Sequence, residues 1–170
     1  TDDFREDAAR RDFSINAMSM TPDGALFDYF GGAADLAAGR VRFVGDAAAR
    51  VAEDYLRVLR FFRFRARYGA GAPDADAVAA VRAGVPGIGL LSAERVWSEM
   101  KRILAVPDPD AALALMAETG VLAALLPEAR VRPLAGLPSD PALRLAALAP
   151  GDATALAERW RLSSAERDRL

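Results

Sequence analysis

The stretch Glu53-Asp-Tyr-Leu-Arg-Val-Leu-Arg-Phe-Phe-Arg-Phe-Arg-Ala-Arg67 holds the densest set of groups able to do chemistry in this sequence. At roughly 100° per residue, a helix through it sets Tyr55, Val58, Leu59, Phe62 and Ala66 on one face and Arg57, Arg60, Arg63 and Arg67 on the opposite one. Asp54 lies beside Arg57, one turn earlier. No acidic residue occurs from Tyr55 to Pro73. A solvated helix face normally alternates sign, because acid–base pairs at i,i+4 stabilise it and like charges repel. Two readings of the four arginines stand side by side. In one, acids from elsewhere in the fold pair them. In the other, they face the phosphates of a nucleotide or nucleic acid. Phe61 and Phe64, on the same side, are read as core packing.

Paired carboxylates offer a second chemistry. Asp74-x-Asp76 and Asp108-x-Asp110 have the spacing of a metal-binding pair, but both stand at the starts of helical stretches, where capping explains them. Asp2-Asp3 reads as a solvated turn. The chain has no cysteine and no histidine. Disulfides, thiolate metal sites, Ser-His-Asp triads and His-rich zinc sites are excluded, and a cytoplasmic location is expected. The 170 residues are 52% hydrophobic and 27% charged, enough to bury a core, and the net charge of −2 averages over the whole chain without pointing to a partner. No apolar run is long enough to span a bilayer and no signal peptide is present. The opening Thr-Asp-Asp-Phe-Arg-Glu-Asp reads as the middle of a longer protein. Nearly every basic residue is arginine, Lys101 being the one lysine, so an arginine needs more than its identity to count as functional.

The elements that must position these groups follow from periodicity and punctuation. Residues up to Asp46 are mixed: Asp23-Gly24 between two β-compatible runs predicts a hairpin, a short helix follows through Asp35-Leu36, and Val41 to Val44 is a short strand. From Ala47 the signal is helical. One helix is predicted from Ala47 to Tyr68 with a possible break near Ala52, and a second from Asp74 or Asp76 to Gly84. Residues 85–89 are a loop, and Ser92 caps a third helix through Leu104. A fourth runs from Asp108 or Asp110 to Thr119, with a short helical turn at 120–126. Residues 127–141, with four prolines, are a loop. Helices then fill 141–149 and 152–161, and Ser163-x-x-Glu166 is a capping box for a last one.

Five segments carry a resemblance. Arg10-Arg-Asp-Phe-Ser-Ile-Asn-Ala-Met18 resembles the RRDFTxNA motif of class II CCA-adding tRNA nucleotidyltransferases and bacterial poly(A) polymerases. Glu53-Asp-x-Leu-Arg-x-Leu-Arg60 resembles their EDxLRxLR motif. Asp28-Tyr-Phe-Gly-Gly-x-x-Asp-Leu36 and Arg40-Val-Arg-x-Val-Gly-Asp46 are similar to the segments between those motifs. Ser92 to Lys101 looks like the helix placed after the nucleotide site. The resemblance covers residues 1 to about 126, in order and spacing. Ser14 replaces the usual threonine and Tyr55 the usual proline.

The resemblance implies a mainly α fold, a helical neck and body preceded by a small α/β part of a nucleotidyltransferase head. Its expected divisions are 1–46 (head), 47–126 (neck, binding nucleotide and RNA) and 127–170 (start of the body). It implies that Arg11 contacts the nucleotide, that Asp12 is associated with the ribose and that Asn16 completes that motif. Asp54 and Arg57 are implied to read the base edge, and Arg60 and Arg63 to bind the nucleotide. The expected function is addition of C and A to the tRNA 3′ end, with poly(A) addition or a non-catalytic helical RNA-binding domain as alternatives. The expected partners are tRNA, CTP and ATP, with neither membrane nor protein partner. Mg²⁺ is expected on an Asp-x-Asp pair that would precede Thr1, leaving no catalytic or metal-binding residue in this chain. Arg95, Lys101 and Arg102 are candidates to face the tRNA.

Overall fold

A computed structural model describes residues 3–170. Asp2 of the expected Asp2-Asp3 turn lies outside the described residues. Asp3 is a helix cap: its carboxylate accepts from the Arg5 backbone N–H at 2.7 Å and opens α1 (Phe4–Ala9), a helix too short for the sequence pattern to announce. A 3-10 turn at Ser14–Asn16 leads into the predicted hairpin, β1 (Ser19–Met20) against β2 (Leu26–Phe27), with Ser19 opposite Phe27. The expected strand at Val41–Val44 is reduced to one bridge, Phe13 opposite Phe43. No second partner borders it among the described residues, so a ladder cannot extend. Val41 is nonetheless buried, and Phe27 stacks on Phe4 at 5.4 Å.

The Gly-Gly-x-x-Asp segment turns out to be a joint. Asp28 accepts from the N–H groups of Gly32 (2.7 Å) and Ala33 (2.9 Å), capping α2 (Gly32–Ala37). Gly31 holds φ +74°, and a Cβ on Gly32 would sit 2.2 Å from the Ser14 carbonyl oxygen. That close approach lets Asp35, 2% exposed, accept from the Ser14 hydroxyl at 2.5 Å and from Arg40 at 2.8 Å. Burial disfavours the Asp35 carboxylate, but these donors and Arg42 hold its pKa below the usual range.

The long helix predicted over 47–68 is two helices, α3 (Ala47–Glu53) and α4 (Leu56–Tyr68), and the break falls at Asp54 rather than near Ala52. Asp54 is extended, with φ −156° and ψ 108°, and its carboxylate takes the Leu56 N–H at 3.0 Å. The helices α5 (Ala75–Gly84), α6 (Ala93–Leu104), α7 (Asp110–Glu118) and α8 (Val121–Leu125) follow. Then come α9 (Pro141–Leu148), α10 (Ala153–Arg159) and α11 (Ser164–Arg167). The expected loop at 85–89 is a 3-10 helix over Val85–Leu90, and Tyr55 packs so tightly on Gly87 that a Cβ there would lie 2.2 Å from its ring. Asp74 caps α5 and Ser92 caps α6, as read. Asp110 instead secures the proline-rich loop, accepting from Leu134 N at 2.8 Å and Ala135 N at 3.3 Å.

One core cluster joins Phe13 and Phe43 to Phe61 and Phe62 of α4, to Met100 and Leu104 of α6, and onward to Leu145 and Trp160. Burial of these side chains stabilises the fold by about 2 kcal/mol each at the usual transfer coefficient. Arg144, 1% exposed, was invisible in the sequence as a core residue. It donates to the carbonyls of Leu104, Val106, Pro107 and Leu137, fastening the end of α6 to the loop before α9. The last helix is held by Glu166, whose carboxylate accepts from Lys101 (2.6 Å), Trp97 Nε1 (3.1 Å) and Ser163 N (2.9 Å).

Two outcomes follow. Gly32→Ala drives a methyl into backbone, so denaturant unfolding should show a loss of about 2–3 kcal/mol. Burial opposes ionisation of Glu166, but Lys101 and Ser163 bring its pKa from 4.5 to about 2. A depressed folded pKa gives stability that is complete above the unfolded value and is lost as pH falls from 4.5 towards 2. With its side chain 21% exposed, Glu166→Gln should cost about 1–2 kcal/mol at neutral pH and flatten the acid limb of a Tm-against-pH curve.

Candidate nucleotide site

Asp12 is where the two motifs meet. It is 5% exposed, and its carboxylate accepts from Arg60 Nε of α4 and from Asn16 Nδ2 at 2.7 Å. Asn16 is fixed in turn by the Phe13 N–H, which donates to its Oδ1 at 3.1 Å. Burial pushes the Asp12 pKa up, and the Arg60 and Asn16 hydrogen bonds outweigh it, so the group stays ionised below the usual carboxylate range. Arg60 gains correspondingly: burial lowers its pKa, but Asp12 raises it overall.

Around this pair the other groups are chained. Arg11 donates to Asp7 through Nη2 at 2.8 Å and Nε at 3.1 Å, and Arg10 Nε holds the other Asp7 oxygen at 2.8 Å. These bonds keep the Asp7 pKa low, that from Arg11 foremost. Arg50 reaches back to the carbonyls of Ala9 and Arg11, setting the height of α1 against α3. Arg57 donates to the Arg50 carbonyl at 2.7 Å and to Glu53, whose pKa it lowers. Its Nη2 makes no hydrogen bond among the described residues. Asp54, at the helix break, meets Arg95 Nη2 from the first turn of α6 at 2.8 and 3.1 Å.

Three of the four arginines of α4 are therefore compensated, one by an acid a turn earlier and two by acids distant in sequence. Glu53 answers Arg57, Asp12 answers Arg60, and Glu99 of α6 answers Arg63 at 3.2 Å. Arg67 has no carboxylate partner among the described residues. Nor do Arg57, Arg60 and Arg63, each half-buried, occupy a free face opposite the apolar one; only Arg67 of the four is exposed. Phe61 is fully buried, and the Phe64 ring packs on Phe13 at 4.9 Å, so α4 is covered on both sides with the arginines in the seam.

An open cavity of about 490 Å³ collects Arg11, Asp12, Asn16, Asp54, Arg57 and Arg60. Six of the seven expected site residues thus share one wall system. Asp7, Arg10, Leu56 and Arg95 complete it. Its lining sets five guanidiniums against three carboxylates, a positive excess on a chain of net charge −2. Arg63 is not brought here; it lines a separate cavity of about 660 Å³ with Phe64, Tyr68 and Arg102. The larger cavity is the one without the motif residues, so size does not pick out this site. Arg95 and Glu99 were missed as site-shaping residues. The signal was the +, −, + series Arg95, Glu99, Arg102 at i, i+4 and i+7 of one helix, facing the charges of α4. Among the described residues no three carboxylates converge. No helix there is long and apolar enough to cross a membrane.

Residues 1–42 match the family model of the Poly A polymerase head domain, and residues 72–131 that of the probable RNA and SrmB- binding site of polymerase A. The mitochondrial CCA tRNA nucleotidyltransferase 1 of Danio rerio is 43% identical over 123 residues, 71% of this chain and 28% of that protein. The multifunctional CCA protein of Ectopseudomonas mendocina is 44% identical over 143 residues, 82% of this chain and 34% of that protein. The crystal structure of the Bacillus stearothermophilus CCA-adding enzyme in complex with CTP superposes with a TM-score of 0.80 at 31% identity, over 99% of this chain and 45% of that one. The chain thus spans about a third of the length of these two relatives. Its motifs, its fold and these matches agree, and the chain belongs to the family of CCA-adding tRNA nucleotidyltransferases and bacterial poly(A) polymerases.

Proposed function

We propose that this chain is the nucleotide-selecting and tRNA-binding part of a template-independent RNA nucleotidyltransferase that adds C and A to the tRNA 3′ end. The supporting observation is the convergence of Arg11, Asp12, Asn16, Asp54, Arg57 and Arg60 on one cationic cavity. The proposed division is a head portion at 1–46, a neck at 47–126 and the start of a body at 127–170, sharing the core that runs from Phe13 to Leu162.

The chemistry of selection lies in Asp54 and Arg57. C and A each present an exocyclic amino donor beside a ring-nitrogen acceptor; U and G present a carbonyl beside an N–H. A carboxylate next to a guanidinium offers acceptor then donor, which suits C and A and mismatches U and G. Asp54 keeps acceptor capacity even when bonded to Arg95 and Leu56, because each carboxylate oxygen takes more than one donor. Arg57 keeps Nη2 while Nη1 is anchored. Discrimination comes from leaving such groups unpaired against the wrong base, about 1–3 kcal/mol per group. Asp12, held ionised, is an acceptor for a ribose 2′-OH, and Arg10 and Arg11 suit phosphate. Selection and transfer are separable in this reading: the residues that converge on the cavity bind nucleotide, and transfer is assigned to a metal-binding Asp-x-Asp pair that is not among them.

Calorimetry with CTP, ATP, UTP and GTP tests the reading. The chain should favour CTP and ATP by about tenfold or more, equivalent to about 1.4 kcal/mol. Asp54→Ala and Arg57→Ala should erase that preference while leaving residual phosphate-driven binding. Equal affinity for all four nucleotides would reduce the cavity to a phosphate surface. Selection of ATP alone would turn the assignment to poly(A) addition. No incorporation of labelled nucleotide into tRNA is expected from this chain alone with Mg²⁺ supplied, and turnover would refute the separation of selection from transfer.

A further inference from the structure

We infer that the second cavity, of about 660 Å³, holds one nucleotide unit of a single-stranded RNA chain. The inference rests on the reading above, that the chain handles RNA. It is placed for that: Arg60 lines the first cavity and Arg63, about 4.5 Å further along α4 at the helical rise, lines the second. The Phe64 ring lies under both guanidiniums, 6.0 Å from Arg60 and 4.9 Å from Arg63.

The second cavity supplies the two groups that sequence-tolerant RNA binding needs, cations for phosphate and a ring face for a base. Arg63, Arg67 and Arg102 line it. One carboxylate, Glu99, answers Arg63 at 3.2 Å and Arg102 at 3.3 Å, and Arg67 has no carboxylate partner among the described residues. Positive charge is therefore left over where the cavity opens. Tyr68 is 40% exposed, with Arg67 over its ring at 5.4 Å. The opposite wall, Val106 and Pro107, is fixed from behind because Arg144 binds both carbonyls. Cations, a partly exposed aromatic ring and an apolar wall fit a base with its phosphate.

The test is fluorescence anisotropy with labelled oligocytidylate of about ten nucleotides, a length within single-strand site sizes, run beside CTP calorimetry on the same variants. Arg67→Ala and Arg102→Ala change exposed side chains. Each should weaken RNA binding about threefold to tenfold and lower the log–log salt slope by about 0.7. Tyr68→Ala should cost about tenfold and Tyr68→Phe less than about twofold, since stacking survives loss of the hydroxyl. CTP binding should be unchanged in all four. RNA binding indifferent to these substitutions overturns the inference while leaving nucleotide selection untouched. So does CMP competing at this cavity as well as RNA, which assigns it to free nucleotide, or polyglutamate competing equally, which assigns it to an acidic peptide. Tyr68-dependent RNA binding without any CTP selection supports this cavity and defeats the first reading.

Discussion

The ion pair between Asp12 and Arg60 is the constraint on which the remaining geometry depends. A carboxylate 5% exposed is tolerable only with charge and hydrogen bonds supplied, and α4 supplies the charge. Removing Arg60 alone would strand that carboxylate, at about 3–5 kcal/mol. The pair fixes where the segment 10–18 crosses α4. Phe13 then falls between the rings of Phe43 (4.7 Å) and Phe64 (4.9 Å), and Asn16 completes the acceptor shell. Arg50 ties the carbonyls of Ala9 and Arg11 to α3, so the arginines at the rim inherit their position from the same anchor.

The helix break is the second determinant of the site. Had α3 and α4 been continuous, Asp54 would be an ordinary helix residue with its backbone in the ladder. Its extended conformation frees the Leu56 N–H for its carboxylate and turns the residue toward Arg95 of α6. The acid and the base proposed to read a nucleobase are thus held by different elements, Asp54 by a junction and Arg57 by Glu53 and the Arg50 carbonyl. Two anchors of independent origin fix their spacing better than one flexible helix surface would.

Much of this was legible from the chain. Caps at Asp74 and Ser92 and the box at Ser163 and Glu166 marked helix starts because side-chain oxygens satisfying free N–H groups leave a local signature. The resemblance singled out six residues that share one cavity, and Arg63 that does not, since resemblance carries tertiary information that periodicity lacks. What stayed hidden was non-local. The partner of Arg60 lies 48 residues away and that of Arg63 lies 36 away, distances at which spacing says nothing. The role of Arg144 stayed hidden as well, because nothing local shows four carbonyls converging on it. The segment 41–44 reads as a strand by propensity, yet a strand exists only where a neighbour offers a ladder.

The pre-paired arginines have a thermodynamic consequence. A phosphate arriving at the first cavity meets guanidiniums already bonded to Asp7, Asp12 and Asp54, so binding there exchanges one ionic partner for another. The side chains of such a surface are already ordered, so less rotamer entropy is lost on docking, and a mononucleotide carries no condensed counterion layer to release. Arg67, without a carboxylate partner among the described residues, is in the opposite regime: neutralising a phosphate of a polyanionic chain, it releases counterions condensed on that chain. Two neighbouring surfaces on one helix therefore respond differently to ionic strength, one nearly indifferent and one steep. A rise in salt would loosen a polyanionic chain while leaving a small anion in place.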